Sequence, residues 1–181
     1  MIMRAKIFLF YVFYVLAESF AKSVAKQGSS CKDAIGLQTG FLETRDIKTS
    51  TSQPNFTATD PWCATVIDDK QYFAVDLGED FSISKIATQG KLDDKDRYVT
   101  MYALEYSSDA KKWTDYKDIF GKADLEGNKN TYDVTTHDLA PAIIARYVKL
   151  KPKAWNKGIC AFVDLYGCSI EDLKSGKVGN T

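Results

Sequence analysis

The chain has 181 residues, in which 24 lysines and arginines balance 24 aspartates and glutamates, with one histidine and four cysteines. Such a balance gives no broad positive field to attract nucleic acid or an anionic membrane surface. The length suits one domain with a sizeable core.

The N-terminus reads as a targeting segment. Residues 1–6 are basic and 7–16 continuously apolar, and Ser19-Phe20-Ala21 offers a small-x-small cleavage site, with Ser23-Val24-Ala25 as a second. The apolar run is too short to anchor in a bilayer. The expectation is a signal peptide over residues 1–21, cleaved as late as 25, and a secreted, extracellular chain. Without Arg4, Lys6 and Glu18 the count becomes 22 basic to 23 acidic. In an oxidising compartment the even set Cys31, Cys63, Cys160 and Cys168 points to disulfides, with three connectivities open. Zinc ligation is disfavoured: there is no Cys-x-x-Cys pair, and His137 has no cysteine near it in sequence.

The domain begins at Cys31, followed by an apolar turn at Ala34-Ile35-Gly36-Leu37 and a short strand over 47–52. The loop over 51–62 carries two prolines and the sequon Asn55-Phe56-Thr57, which makes Asn55 a candidate glycosylation site and Phe56 a candidate contact residue. Residues 71–78 read as a strand ending at a glycine, and 81–88 as another. Lys91, Asp93, Asp94, Lys95, Asp96 and Arg97 then crowd around Leu92, the pattern of a solvated loop. Residues 98–107 alternate over a long span and pair as a hairpin with a returning strand over 113–119. After a polar loop over 121–130 come strands over 132–134 and 143–150, separated by a turn at Pro141. Trp155-Asn156-Lys157-Gly158 makes a tight connection into a closing strand over 159–168. The tail over 169–181 is polar, with one helical turn at most. Short strands between turn signals, with no sustained 3.6-residue apolar period, indicate an antiparallel β-sandwich or barrel.

The motifs are more specific than a generic sandwich. They comprise Cys31 with Ile35-Gly36-Leu37, Gln71-Tyr72-Phe73-Ala74-Val75-Asp76-Leu77-Gly78, Ala87-Thr88-Gln89-Gly90, and Tyr102-x-Leu104-x-Tyr106-Ser107-x-Asp109. Ala145-Arg146-Tyr147-Val148-Lys149-Leu150-x-Pro152 and Asp164-Leu165-Tyr166-Gly167-Cys168 complete the set, and from 31 to 168 the chain resembles the discoidin family, also called the coagulation factor V/VIII type C domain. The resemblance implies an all-β, galactose-binding-domain-like jelly-roll sandwich with Cys31 bridged to Cys168. It also implies a Cys63 to Cys160 bridge, because a cysteine after a tryptophan pairs this way in the collagen-binding discoidin receptors.

The resemblance further implies recognition rather than catalysis, through loops at one end, here 51–60, 91–97 and 154–158. The candidate ligand-binding residues are Phe56, Leu92, Asp93, Asp94, Asp96, Arg97, Asn156 and Lys157. Asp93, Asp94, Asp96, Arg97 and Asn156 supply planar polar groups for an extracellular glycan, and a matrix or cell-surface protein such as collagen ranks beside it because the inner cysteine pair resembles that of the collagen-binding receptors. Anionic phospholipid ranks below these, since Asp93, Asp94 and Asp96 offset Lys91, Lys95 and Arg97. A purely structural matrix role is a further alternative. No cofactor is required, although some relatives hold a structural calcium. Trp62, Trp113 and Trp155 fall where the family packs aromatics on the sandwich. The chain departs from the family in its trimmed loop before Trp62, Ala110 in place of a turn glycine, Ala142 in place of a proline, and Phe162 in place of an arginine. No Gly-x-Ser-x-Gly or His-Glu-x-x-His motif supports a hydrolase.

Overall fold

The structure, a computed structural model, describes residues 31–36, 42–93 and 95–176, so the expected signal peptide, Leu37 and Asp94 lie outside the described residues. Nine strands follow in chain order: β1 (Asp33–Ala34), β2 (Ile47–Thr49), β3 (Trp62–Cys63), β4 (Phe73–Gln89), β5 (Tyr98–Ser107), β6 (Thr114–Asp115), β7 (Asp124–Glu126), β8 (Thr135–Asn156) and β9 (Cys160–Ser169). A single-turn helix, α1 (Ile170–Lys174), is N-capped by the Ser169 hydroxyl, which accepts from Asp172 N.

All pairings are antiparallel, in the order β1-β9-β4-β8-β5-β6, with β2 on β4, β3 on β9 and β7 on β5. The ladder becomes a jelly-roll sandwich because β4 and β8 each serve both layers. The first part of β4 pairs Phe73 with Leu150 and Asp76 with Tyr147; after a register shift, Phe81 to Thr88 run against Ala145 to Thr135 and against β9. The shift falls at Gly78, where φ is +80° and the Asp76 carboxylate accepts the Gly78 N–H, a conformation that costs glycine little. Phe73, Val75, Val148 and Leu150 of one layer thereby face Ile86, Val163 and Leu165 of the other.

Three expected elements change. The strands over 71–78 and 81–88 are one bent strand. Pro141 does not divide two strands but lies inside β8, after a cis peptide bond, where β8 borders only β4 and a missing N–H leaves no ladder partner unserved. Residues 132–134 form a turn, not a strand, and the segment read as a polar loop contributes β7. The returning strand after 113 is cut to Thr114–Asp115, since Tyr116 N still bonds Leu104 O but Ile119 N turns away to Ala140 O.

Both disulfides form, Cys31–Cys168 and Cys63–Cys160. Cys168 lies opposite Ser82 at the end where the layers cross over, whereas the 89–98 and 156–160 connections and the segments leading out of β2 and β3 all lie at the other end. The crossover end is braced by Arg146, whose Nε and Nη2 donate to the two Asp76 oxygens at 2.6 and 2.9 Å. The Arg146 hydrogen bond outweighs desolvation and holds the Asp76 carboxyl below the usual carboxylate range. A depressed carboxylate stabilises the fold above its unfolded pKa, and that contribution disappears as pH falls through the folded value. Asp76→Asn is therefore expected to lower the melting temperature at pH 7, with the gap from wild type closing as the pH is taken below about 4 in a thermal-melt series.

Candidate functional site

Three connections meet at the end opposite the Cys31–Cys168 bridge. The 89–98 connection is a hairpin closed by Lys91 N donating to Arg97 O. Its charges are ordered within it. Asp93 Oδ2 accepts from Arg97 Nη2 at 2.5 Å and lies 3.8 Å from Lys91 Nζ, while Asp93 Oδ1 accepts from Lys95 N. Desolvation acts to raise the Asp93 pKa, but the Arg97 and Lys95 hydrogen bonds, with the Arg97 and Lys91 charges, prevail and hold it below the usual range. The charge run is thus partly a folded ion-pair network.

The hairpin is joined to the β8–β9 connection. Asn156 Nδ2 donates to Asp96 O at 2.7 Å, and Lys157 Nζ lies 3.3 Å from Asp96 Oδ2. Asp96 and Lys157 both adopt positive φ, 53° and 54°. Gly158 lets the Arg97 stem cross directly over the backbone: a Cβ there would lie 2.9 Å from Arg97 Cδ. The Arg97 side chain is thus held by the Asp93 carboxylate at its guanidinium and passes over Gly158 along its stem.

The third wall comes from the segments flanking β3. Gln53 reads the β3 backbone: its N donates to Cys63 O, its Oε1 accepts from Cys63 N, and its Nε2 donates to Pro61 O. Buried Gln71 ties down both flanking segments, accepting from the Ser50 and Thr51 hydroxyls and donating to Asp68. Between the walls is an open cleft of about 360 Å³, lined by Gln53, Thr65, Ile67, Arg97, Lys157 and the Cys63–Cys160 bridge. It offers guanidinium, ammonium, amide and hydroxyl groups beside an apolar wall, a set that can hydrogen-bond a polyhydroxylated ligand and cover its C–H face.

The candidate residues divide accordingly. Asp93 with Arg97, and Asp96 with Asn156 and Lys157, form two bonded sets on neighbouring connections, and Arg97 and Lys157 line the cleft. Leu92 is exposed at the hairpin tip, at 68%. Phe56 is half-buried, packed against the core. Asn55 is exposed at φ 57°, while the sequon's Thr57 hydroxyl donates to Asp60. The same carboxylate oxygen also accepts from Thr57 N. Trp62 is fully buried, whereas Trp113 and Trp155 are half-buried. Gln53 falls within the 51–60 loop expected to face a ligand but is not among the candidate residues, and Thr65 and Ile67 lie outside that loop, marked in the sequence only by their closeness to Cys63.

The family model described as "F5/8 type C domain" matches residues 46–165. Epithelial discoidin domain-containing receptor 1 of Pan troglodytes is 29% identical over 157 residues, covering 80% of this chain and 17% of the receptor. The chain spans less than a fifth of the length of such curated relatives. Discoidin II of Dictyostelium discoideum superposes with a TM-score of 0.62 at 24% identity, over 76% of this chain and 60% of that one. A family 32 module of Clostridium perfringens, solved with GalNAc-β-1,3-galactose, gives 0.57 at 17% identity, over 75% of this chain and all of its own.

Proposed function

Because the chain belongs to the F5/8 type C (discoidin) family, we propose that it is a secreted, non-catalytic recognition domain that takes an extracellular saccharide in the cleft beside Arg97. The observation that carries this reading is the Arg97 side chain, held by Asp93 at its guanidinium and passing over Gly158 along its stem, at the wall of a cleft that also presents Gln53, Thr65 and Lys157. Preorganised donors bind without a further ordering cost. The galactoside-bound clostridial module with the same fold supports the choice of ligand class.

A matrix protein is the second reading, favoured by Val66, Ile67 and Leu92, which are exposed at the same end and supply apolar area that a small sugar would not need. An anionic membrane ranks third: Asp93 and Asp96 neutralise the basic side chains beside those residues. A glycan array run with collagen and phosphatidylserine-liposome pull-downs separates the three. Arg97→Ala, with folding checked by circular dichroism, is expected to weaken saccharide binding at least tenfold, the loss of one or two charge-assisted hydrogen bonds. Liposome capture unchanged by Arg97→Ala but abolished by Leu92→Ala would replace this reading with the third.

A further inference from the structure

A second cleft, sharing no lining residue with the first, opens between β7 and the start of β8. It measures about 440 Å³ and is lined by Glu126, Lys129, Asp133, Val134, Thr135 and His137. That volume falls within the roughly 300–1,000 Å³ typical of small-molecule sites. Its rim belongs to the turn over 127–134, which was read from sequence as loop and strand and which the first cleft does not use.

The turn is held far more firmly than an exposed loop requires. Asn128, 2% exposed, directs its Nδ2 at three acceptors, Thr88 O, Asp133 O and Thr135 Oγ1, at 2.9, 2.9 and 3.2 Å. Its backbone N donates to Val99 O, and Gly127 N donates to Thr100 O. Gly127 admits no side chain, since a Cβ would lie 2.3 Å from Val99 O. At the tip, Asn130 Oδ1 accepts from the N–H groups of Tyr132 and Asp133 while its Nδ2 donates to Asp133 Oδ2. Gln89 Nε2 donates to Tyr132 O. The result of all this bracing is a Tyr132 side chain held out at 67% exposure, next in sequence to the Asp133 and Val134 of the cleft wall.

Asp133 and Thr135 are engaged by the turn, by Asn130 and Asn128 respectively, whereas the charged side chains Glu126 and Lys129 are not drawn into ion pairs among the described residues. His137 Nε2 donates to Glu126 O at 2.5 Å, which in the neutral ring leaves Nδ1 as an acceptor, and its ring stands edge-on to buried Tyr102 at 6.2 Å. With Glu126 and Asp133 against Lys129, the wall carries no positive excess to select an acidic peptide or a phosphate. A carboxylate, an ammonium and an imidazole nitrogen around an apolar Val134, with the exposed Tyr132 ring carried on the same turn, match the demands of sugar hydroxyls and a sugar C–H face. We infer that this cleft is a second, independent saccharide-binding site, for a neutral or amino sugar, in which Tyr132 provides the stacking face and Glu126, Lys129 and His137 the hydroxyl contacts.

The test is a two-dimensional amide NMR titration of the mature, disulfide-bonded protein with galactose, N-acetylgalactosamine and glucosamine as probes. It is run on wild type and on Arg97→Ala, which silences the first cleft. The expected result is saturable shifts of the 126–137 amides with at least one probe, equal in both backgrounds, and weakened about fivefold or more by Tyr132→Ala while shifts around Arg97 are retained. Lys129→Ala, at an exposed position without an ion pair among the described residues, serves as a second variant expected to keep the fold and also to weaken binding. No saturable shift at 126–137 with any probe, or shifts insensitive to both variants, would overturn the second site whatever happens at Arg97. Shifts at 126–137 without any around Arg97 would uphold the second site and remove the first.

Discussion

Trp62→Ala is expected to lower the unfolding free energy by about 3–5 kcal/mol in a chemical-denaturant titration, the range for truncating a fully buried aromatic. Trp62 is 0% exposed, with its ring 6.0 Å from Phe73 at a 44° tilt, and Nε1 donates to Thr51 O at 2.7 Å. The substitution removes a large apolar volume and leaves a carbonyl without its donor. Trp62→Phe separates the two effects: most of the volume stays and the carbonyl is unserved, so a smaller loss of about 1–3 kcal/mol is expected. Trp113→Ala and Trp155→Ala, at half-buried positions, should each cost less than Trp62→Ala. A domain stable by 5–15 kcal/mol tolerates Trp62→Ala narrowly or not at all. Equal losses at all three tryptophans would show that Trp62 is not the anchor of the β3 segment.

Removing the outer bridge as Cys31→Ser/Cys168→Ser is expected to cost about 5 kcal/mol by the chain-entropy relation for a loop of this length. The bridge joins residues 137 apart, so it removes a large set of unfolded conformations. In the folded state β1 and β9 keep their own pairing, Asp33 with Gly167 and Ala34 with Tyr166. The loss should therefore appear as a lower denaturation midpoint with the native circular-dichroism spectrum preserved. A loss under about 1 kcal/mol would mean that the unfolded chain already holds its ends together.

Much of the scaffold was legible because period-2 alternation is a local signal. The strand over 98–107 matches β5, and the closing strand over 159–168 is β9 within a residue. The cysteine pairing was legible through the family resemblance rather than through spacing, and both bridges are present. What sequence did not reveal depends on partners distant in the chain. Gly78 and Pro141 are ordinary strand stops, but here each lies where a strand passes between layers or borders one neighbour, so pairing with β8 or β4 carries the strand past them. The ion pairs of the 91–97 hairpin were readable as charges but not as a network, because Asn156 and Lys157 fasten it from 60 residues away. Asn128 gave no sign of burial: a polar residue in a glycine-bearing stretch reads as solvated until the carbonyls it serves are known.

Cys31 and Cys168 have Cα atoms 4.8 Å apart at the end opposite the 89–98 and 156–160 connections. Tension applied between the chain's entry and exit at those residues would run through one covalent bond and bypass the β-sheets.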